Sequence, residues 1–346
     1  MLDLSRVDRP IVGGDSHENA VITYSPAFTL VPTYECFNRC SYCNFRVDPG
    51  QDRWLTLTTA QAHLENLRGQ GVREILILSG EVHPASARRS PLIRLIYDLC
   101  QLALDYGFIP HTNAGPLSWA EMELFRDVNG SIGLMLEQMR SDLPVHRHAP
   151  SKDPQVRSQQ LVWAGQLQIP FTTGLLLGIG ETPQDWQDTL EAIAKIQDQY
   201  GHIQEVILQP HRPGQTQDYL GEAFLPEQLP EVIQLARDIL PSEIAIQIPP
   251  NLVADPQWLL SCLQAGARDL GGLVPKDEVN PDYPHLHLDQ LQLLLADQGW
   301  QLQPRLAVYP AYDAWLAPQV KQVVERHRKE LTAPKTLPEK IQSEAR

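Results

Sequence analysis

Short apolar, β-branched runs alternate with longer amphipathic stretches along the chain from about residue 27. The runs predict strands, and the amphipathic stretches predict helices that cover them. Strands are predicted at 27–35, 74–80, 108–113, 131–137, 171–178, 205–210, 244–249 and 269–275. Helices are predicted at 59–70, 91–106, 118–127, 154–168, 183–200, 226–240, 255–265 and 287–298. Pro32 weakens the first strand pattern, because proline cannot donate a ladder hydrogen bond.

This alternation of strand and helix is typical of an α/β fold with a parallel sheet. Eight strand–helix units favour a (β/α)8 barrel, although a flat, doubly wound sheet fits the same pattern because periodicity does not report closure. In a barrel, the loops after the carboxyl ends of the strands form the active face. We predict one domain over residues 1–326 and a charged tail over 327–346 that frays or docks as a peripheral helix.

Composition narrows the range of partners. The 346 residues include 28 Lys and Arg against 42 Asp and Glu, which gives a net charge of −14. A field of that sign disfavours nucleic acid and anionic membrane surfaces. The first residues, MLDLSRVDRPIVGG, lack the basic start and apolar stretch of a signal peptide, and no apolar window is long enough for a membrane span. We therefore expect a cytoplasmic protein.

Three of the five cysteines lie in the segment YECFNRCSYCNFRV, directly after the first predicted strand. Cys36, Cys40 and Cys43 have the spacing C-x3-C-x2-C, and soft thiolate ligands select zinc, copper(I) or an iron–sulfur cluster. A closed zinc site needs four ligands, often two C-x2-C pairs, and the chain has no second pair. His63 or His83 could complete such a site, but neither has the spacing of a zinc finger.

The other two cysteines, Cys100 and Cys262, stand alone in predicted helices, where free cysteine is usually an ordinary core residue. A four-iron cluster held by three cysteines leaves one iron open to a substrate or cofactor. The C-x3-C-x2-C spacing, with Tyr42 before the third cysteine, resembles the signature of the radical S-adenosylmethionine (SAM) superfamily. The resemblance implies a barrel that is either closed or partly open, a [4Fe-4S] cluster, and SAM bound to the open iron. It also implies one-electron cleavage of SAM to a 5′-deoxyadenosyl radical.

The same resemblance implies SAM contacts at later strand ends. LSGE, at residues 78–81, resembles the family's Gly-Gly-Glu segment, so Ser79, Gly80 and Glu81 would meet the methionyl amino group, with serine replacing the first glycine. Glu137 would bind the ribose hydroxyls, since a carboxylate accepts hydrogen bonds from both. The alternative for Glu137 is an exposed acid at a strand end.

Three further positions complete the implied SAM site. Arg157 begins a predicted helix where relatives hold the SAM carboxylate, and its planar fork suits that pairing, although a solvated surface arginine is the alternative. Gly178 and Gly180 follow the fifth strand and would let the backbone approach adenine closely. Tyr42 would stack on the same adenine.

Longer segments resemble one branch of the superfamily, the CofG-type subunit of 7,8-didemethyl-8-hydroxy-5-deazariboflavin (FO) synthase, over about residues 20 to 320. They include SPAFTLVPTYECFNRCSYCNFR, IPFTTGLLLGIGET and DLGGLVPKDEVNP. The resemblance implies a lyase reaction that converts 5-amino-5-(4-hydroxybenzyl)-6-(D-ribitylimino)-5,6-dihydrouracil to FO and ammonia, with SAM consumed to methionine and 5′-deoxyadenosine. A tyrosine-using partner subunit would supply this small molecule, and a reducing donor the electron. FO is the precursor of coenzyme F420 and of deazaflavin photolyase antennae.

Strand geometry suggests the substrate contacts. Side chains two apart on a strand share a face, so His111 and Asn113 point together at the end of the third strand. Thr173 lies on the fifth strand, and Gln209 and Arg212 end the sixth. All five are candidates for binding a uracil or ribityl group, unless they only cap strand ends. His111, Asn113 and Gln209 are the catalytic candidates, with His111 as an acid or base for ammonia loss.

Two alternatives remain at this stage. The loops VHPASARRSP and RPGQTQ are shorter than the family usually has, and residue 210 is proline where relatives have asparagine. The chain is therefore also compatible with a sibling radical SAM enzyme, such as the tyrosine-using subunit or a menaquinone-pathway member. A zinc-binding protein without catalytic activity is the rival from another class.

Overall fold

The computed structural model describes residues 21–332, which form nine strands, nine α-helices and four short 3-10 helices. The strands are Val21–Leu30 (β1), Glu74–Leu78 (β2), Ile109–Asn113 (β3), Ser131–Gly133 (β4), Phe171–Leu177 (β5), Ile203–Pro210 (β6), Ala245–Gln247 (β7), Asp269–Leu273 (β8) and Gln301–Pro304 (β9). The α-helices are Leu57–Leu67 (α1), Arg89–Asp105 (α2), Trp119–Arg126 (α3), Pro154–Gln166 (α4), Pro183–Tyr200 (α5), Leu229–Ile239 (α6), Pro256–Gln264 (α7), Leu288–Ala296 (α8) and Pro318–Thr332 (α9). The 3-10 helices are Pro144–His146, Pro150–Lys152, Pro226–Gln228 and Pro310–Trp315.

β1 closes the barrel, because it pairs with a strand on each of its sides. Its second half pairs in parallel with β2, and its first half pairs in parallel with β8. Strands β1 to β8 therefore form a closed ring. The closed ring confirms the predicted (β/α)8 barrel and excludes the flat sheet.

The first strand differs from its prediction. β1 occupies Val21–Leu30 rather than 27–35, because the chain leaves the sheet just before Pro32. β9 was not predicted, and its residues QLQP are largely exposed beside the first four residues of β1, so they show no apolar pattern. The fourth strand ends at Gly133, well short of the predicted residue 137.

The other boundaries agree within a few residues. α5 begins and ends where predicted, and its start carries a capping box in which Thr182 Oγ1 accepts from the Asp185 N–H and the Asp185 carboxylate accepts from the Thr182 N–H. Cys100 and Cys262 are both fully buried in helices, which confirms their prediction as core residues.

Strand side chains alternate between the barrel interior and the helix layer. On β2, Ile75 and Ile77 are fully buried in the main apolar core, whereas Glu74, Leu76 and Leu78 line the barrel cavity. The same period of two along the other strands leaves a polar interior inside an apolar shell. The barrel therefore provides a cavity rather than a filled centre.

The carboxyl-terminal helix packs on the barrel. Val320 and Val324 of α9 are fully buried, and the His327 ring nitrogen Nε2 lies 2.8 Å from the Gly107 carbonyl oxygen. The predicted domain boundary after residue 326 therefore falls inside helix α9. Residues 1–20 and 333–346, with the rest of the predicted tail, lie outside the described residues.

Among the helices of residues 21–332, none combines the length and the apolar character that a membrane crossing requires.

Close contact between β5 and β6 depends on glycine at position 174. A β-carbon there would lie 2.2 Å from the Ile207 carbonyl oxygen. We predict that Gly174→Ala destabilises the fold by about 1–3 kcal/mol, as overpacking does, measured by denaturant unfolding. The control is Gly272→Ala on β8, where the added carbon would meet only Ala27 Cβ at 3.4 Å. Equal unfolding midpoints for the two variants would contradict this account.

Candidate active site

The cysteine segment forms a closed loop after β1. The Cys36 N–H donates to the Val47 carbonyl oxygen at 3.1 Å, and the Val47 N–H donates to the Tyr34 carbonyl oxygen at 2.9 Å, which joins the two ends of the loop. Within it, the Cys43 N–H donates to the Cys40 carbonyl oxygen at 3.2 Å, a tight turn. The three cysteines are free thiols, and all three line one cavity at the carboxyl ends of the strands.

The Glu35 carboxylate, next to Cys36 in the chain, stabilises this loop. It is buried and accepts from the Gly50 N–H at 2.9 Å and from the Trp54 indole N–H at 3.3 Å. Arg88 pairs with it at 2.6 Å. The loop that carries the cysteines is therefore held by hydrogen bonds donated to a buried acid, which the sequence pattern did not identify.

The three thiols can supply ligands for three of the four irons of a [4Fe-4S] cluster. In a four-iron cluster each thiolate binds a different iron. Burial raises the pKa of Cys40 to about 12, against the opposing charge of Lys152, and also raises the pKa of Cys36. Metal binding must therefore displace thiol protons.

The turn after β2 packs directly against the cysteine loop. The Gly80 N–H donates to the Thr33 carbonyl oxygen at 2.8 Å, and a β-carbon on Gly80 would lie 2.2 Å from the Glu35 carbonyl oxygen. Only glycine fits this approach. The substitution of Ser79 for the family's first glycine is accommodated, since the Ser79 hydroxyl donates to the Gly80 carbonyl oxygen at 2.9 Å.

Glu81 links the cysteine loop to the start of α4. Its Oε2 accepts from the Asn38 amide at 2.9 Å and from the Ser151 hydroxyl, and its Oε1 lies 3.4 Å from Arg157 Nη2. Asn38 lies between Cys36 and Cys40 and is almost fully buried. Ser79, Gly80 and Glu81 all line the cavity of the cysteines, where the sequence placed them.

Glu137 is held in a strained conformation on the same cavity. Its φ of 65° lies in the left-handed region, which is unfavourable for a residue with a β-carbon. Its carboxylate accepts from the Tyr42 hydroxyl at 2.6 Å, lies 3.0 Å from His146 Nε2, and pairs closely with Lys152. Burial would raise the pKa of Glu137, but Lys152, His146 and Arg157 together hold that pKa well below its usual range.

Arg157 connects the two acids of the cavity. Its guanidinium is 2% exposed, donates from Nε to the Ser151 carbonyl oxygen at 2.9 Å, and lies within 4 Å of both Glu81 and Glu137. It is therefore not a solvated surface residue. Lys152, which the sequence pattern did not indicate, supplies the second cation of this network, with a half-buried side chain.

The glycines after β5 lie beside this cavity rather than on its wall. Gly178 and Gly180 have φ of 88° and 103°, so both need glycine, but neither is among the lining residues. Glu181 fixes their loop, because its carboxylate accepts from the Gly178 N–H at 2.6 Å and the Ile179 N–H at 2.7 Å. Glu181 was missed, although an acid directly after a glycine pair was a visible signal.

The cavity continues into a second compartment inside the barrel. The upper compartment, which the cysteines line, has a volume of about 210 Å³. The lower compartment, which lies deeper inside the barrel, has a volume of about 200 Å³. They meet at a neck that both share, formed by Leu78, Asn113, Leu134, Met135, Gln209 and Val279. The predicted substrate residues Asn113 and Gln209 thus stand at the neck, and His111 lines the lower compartment.

Two predicted substrate contacts lie elsewhere. The Thr173 hydroxyl oxygen accepts from the Leu136 N–H at 3.1 Å, and Thr172, on the opposite face of β5, lines the lower compartment instead. The Arg212 guanidinium packs over the Tyr283 ring, 5.3 Å from its centroid, in a separate surface cavity. The alternation of strand side chains places Thr173 on the outer face, which corrects its predicted position.

Charged side chains that the sequence analysis missed form the floor of the lower compartment. Arg305 forms a bidentate pair with Asp269, at 2.6 and 2.8 Å, and a close pair with Glu205. Burial raises the pKa of Glu205 to about 7, and the neighbouring Arg305 opposes that rise. The floor is therefore polar and buried, and it lies at the amino-terminal ends of the strands.

Comparison with known proteins is consistent with this geometry. A model of the radical SAM superfamily matches residues 30–193. Two curated proteins named 7,8-didemethyl-8-hydroxy-5-deazariboflavin synthase match almost the whole chain. The one from Trichormus variabilis is 62% identical over 310 residues, 89% of this chain and 91% of the relative. The one from Gloeobacter violaceus is 57% identical over 312 residues, 90% and 97%.

Solved structures share the fold. The FeFe-hydrogenase maturase HydG from Carboxydothermus hydrogenoformans has a TM-score of 0.68 at 16% identity, covering 90% of this chain and 79% of that protein. Methylornithine synthase has a TM-score of 0.64 at 16% identity, covering 86% and 87%. At these identities the likeness concerns the barrel alone.

The geometry predicts which cysteines retain iron. Cys36→Ala, Cys40→Ala and Cys43→Ala should each lose most of the iron after anaerobic reconstitution, because each removes one of the three thiols that line the cavity. Cys100→Ala and Cys262→Ala are the controls, since both thiols are buried in helices away from the cavity. Iron content and visible absorption measure the result. Iron loss in the controls, or full iron in any loop variant, would contradict the assignment.

Proposed function

The chain belongs to the radical SAM superfamily and, within it, to the 7,8-didemethyl-8-hydroxy-5-deazariboflavin synthase family, and from this premise we propose how its residues divide the reaction. It is an FO synthase of deazaflavin biosynthesis. One observation carries the residue assignment: the cavity lined by three free cysteines adjoins a second cavity inside the barrel, and six residues line both. One compartment suits a cluster with SAM, and the other suits a polar heterocyclic substrate.

The cofactors are a [4Fe-4S] cluster and SAM. Cys36, Cys40 and Cys43 would hold the cluster. When bound, these groups supply the 5′-deoxyadenosyl radical, which takes a hydrogen atom from the substrate. The protein's role is to orient SAM and the substrate and to exclude water. A cavity enclosed by the carboxyl ends of the strands suits both tasks.

The charged residues of the upper compartment are proposed to hold SAM. Glu81 lies next to the cysteine loop through Asn38, which supports its contact with the methionyl amino group. Arg157 stands between Glu81 and Glu137, in reach of a carboxylate. Glu137 would accept the ribose hydroxyls.

Of the three residues that the resemblance proposes as adenine contacts, Tyr42 lines the upper compartment, whereas Gly178 and Gly180 do not. Tyr42 lines the compartment, but its hydroxyl is bonded to Glu137, so stacking would use the ring alone. Gly178 and Gly180 would act through their loop, which Glu181 fixes.

The substrate would be 5-amino-5-(4-hydroxybenzyl)-6-(D-ribitylimino)-5,6-dihydrouracil, with Asn113 and Gln209 at the neck as its polar contacts. An amide both donates and accepts, as the imide edge of a uracil requires. Burial lowers the pKa of His111, so a proposed part in ammonia loss would be that of a base rather than of an acid.

A tyrosine-using partner subunit that supplies the substrate and a low-potential electron donor are the proposed partners. The proposed location is the cytoplasm, where reducing conditions keep the cluster thiols free of disulfides.

Product formation tests the proposed substrate directly. Cluster-loaded protein with SAM, a reductant and the hydroxybenzyl dihydrouracil should yield fluorescent FO together with 5′-deoxyadenosine. The Cys40→Ala variant is the matched control and should yield neither. Cleavage of SAM without FO would instead indicate a sibling radical SAM enzyme that acts on another substrate.

Removal of the Glu137 charge should weaken SAM binding. We expect Glu137→Gln to raise the Kd for SAM about ten-fold, because the loss of hydrogen bonds to a charged acceptor costs about 1.5 kcal/mol or more, while iron content stays unchanged. Glu121→Gln is the control, since Glu121 pairs with Arg89 at 2.7 Å outside both compartments. Equal SAM affinity in the two variants would remove Glu137 from the proposed site.

A further inference from the structure

The lower compartment reaches the amino-terminal ends of the strands. Glu74 is the first residue of β2, and Leu78, four residues further along the same strand, stands at the neck. At the rise of a parallel strand this separates the floor from the neck by roughly 13 Å. A substrate that fills the compartment therefore places one end on the floor and the other near the cysteines.

Most hydrogen-bond donors of the floor already have a partner within the protein. Arg305 directs Nε and Nη2 to Asp269, pairs with Glu205, and donates from Nη1 to the Leu306 carbonyl oxygen at 3.0 Å. The Thr172 hydroxyl donates to Glu205 Oε2 at 2.9 Å. Of the five N–H groups of Arg305, four are thereby used, and the Thr172 hydroxyl has no proton left for a ligand.

Glu74, by contrast, presents a carboxylate without a cationic partner. Its side chain lines the compartment, it is 7% exposed, and its Oε2 accepts from the Ser25 hydroxyl. Within residues 21–332, no lysine, arginine or histidine nitrogen forms an ion pair with it. Its Oε1 has no hydrogen-bond partner among the described residues, and because the side chain lines the compartment, a ligand there can supply a donor.

His111 adds a second acceptor beside it. The Ser131 hydroxyl donates its only proton to the Ala307 carbonyl oxygen at 2.7 Å, so the His111 Nδ1, 2.6 Å from that hydroxyl, must be the N–H donor. Burial lowers the pKa of His111, which favours the neutral ring. The other ring nitrogen, Nε2, then carries a lone pair that can accept a hydrogen bond. It lies beside Gly133, where a β-carbon would come within 2.8 Å of it.

We propose that Glu74, together with His111, binds the ribityl chain of the substrate at the floor of the barrel, a role that rests on the function proposed above. A polyol brings several O–H donors and needs no donor in return. The imide edge of a uracil has one N–H donor between two carbonyl acceptors, so it would place carbonyl oxygens against two acceptors of the protein. A phosphate is disfavoured more strongly, because it would meet the acids Glu74 and Glu205, while four of the five N–H groups of Arg305 are already paired within the protein.

This assignment orients the whole substrate. With the ribityl chain on the floor, the pyrimidine lies between it and the neck, where Asn113 and Gln209 match its imide edge. The hydroxybenzyl group then points to the apolar neck residues Leu78, Leu134 and Met135, next to the compartment of the cysteines. The group thus placed nearest to SAM carries no charge.

A comparison of two substrates distinguishes a role of Glu74 in binding the ribityl chain from a role in stabilising the barrel. The test pairs the ribityl substrate with an analogue that has a methylimino group in place of the ribitylimino group. Glu74→Gln should raise the KM for the ribityl substrate about ten-fold and leave the KM for the methyl analogue nearly unchanged. Glu65→Gln, an exposed acid on α1, is the control and should change neither. An equal effect on both substrates would mean that Glu74 only supports the barrel, and would overturn the proposal.

The unaltered protein gives a second test that does not depend on the folding of a variant. FO should compete with the substrate more strongly than its methyl analogue without the ribityl chain, and FO 5′-phosphate should compete at least ten-fold more weakly than FO. Equal competition by FO and the methyl analogue, or stronger competition by the phosphate, would refute the polyol site. Failure of the function itself would look different, since no FO would form from the ribityl substrate.

Discussion

The double pairing of β1 is the constraint on which the site depends. Because β1 bonds to β2 and β8 at once, the barrel closes, and the chain that leaves β1 must cross the mouth of the barrel. The cysteine loop therefore lies at the carboxyl ends of the strands. Gly80 lets the turn after β2 touch the loop backbone, so cysteines and Glu81 share one wall. A shift of β1 by one residue would turn its side chains to the opposite faces and move the loop.

Buried charge is distributed unevenly between the two compartments. Near the cysteines, Glu81 and Glu137 are matched by Arg157 and Lys152, and such pairing is what makes buried charges tolerable. SAM carries positive and negative groups, and the wall of the upper compartment likewise carries both acids and cations. The floor has one arginine for several acids, and Glu74 stays unpaired within the described residues. This difference supports the proposal that a ligand supplies hydrogen-bond donors to Glu74 at the floor.

The sequence was most informative where the signal is local or periodic. The three cysteines lie within eight residues, and the strand–helix alternation gave the barrel almost completely. Thr173 was misplaced because face assignment requires the strand's register, and a slip of one residue reverses it. Glu74, Glu205 and Arg305 were missed because they are far apart in the chain and meet only when the ring closes. β9 was missed because an exposed edge strand needs no apolar pattern.

The most direct test is the electron paramagnetic resonance spectrum of the reduced, cluster-loaded protein with and without SAM. The central claim is that three cysteines leave one iron open towards the compartment of Glu81, Arg157 and Glu137. On this account, SAM should change the spectrum of the reduced cluster in the unaltered protein. An unchanged spectrum at saturating SAM would mean that SAM does not reach the iron, and would contradict the account.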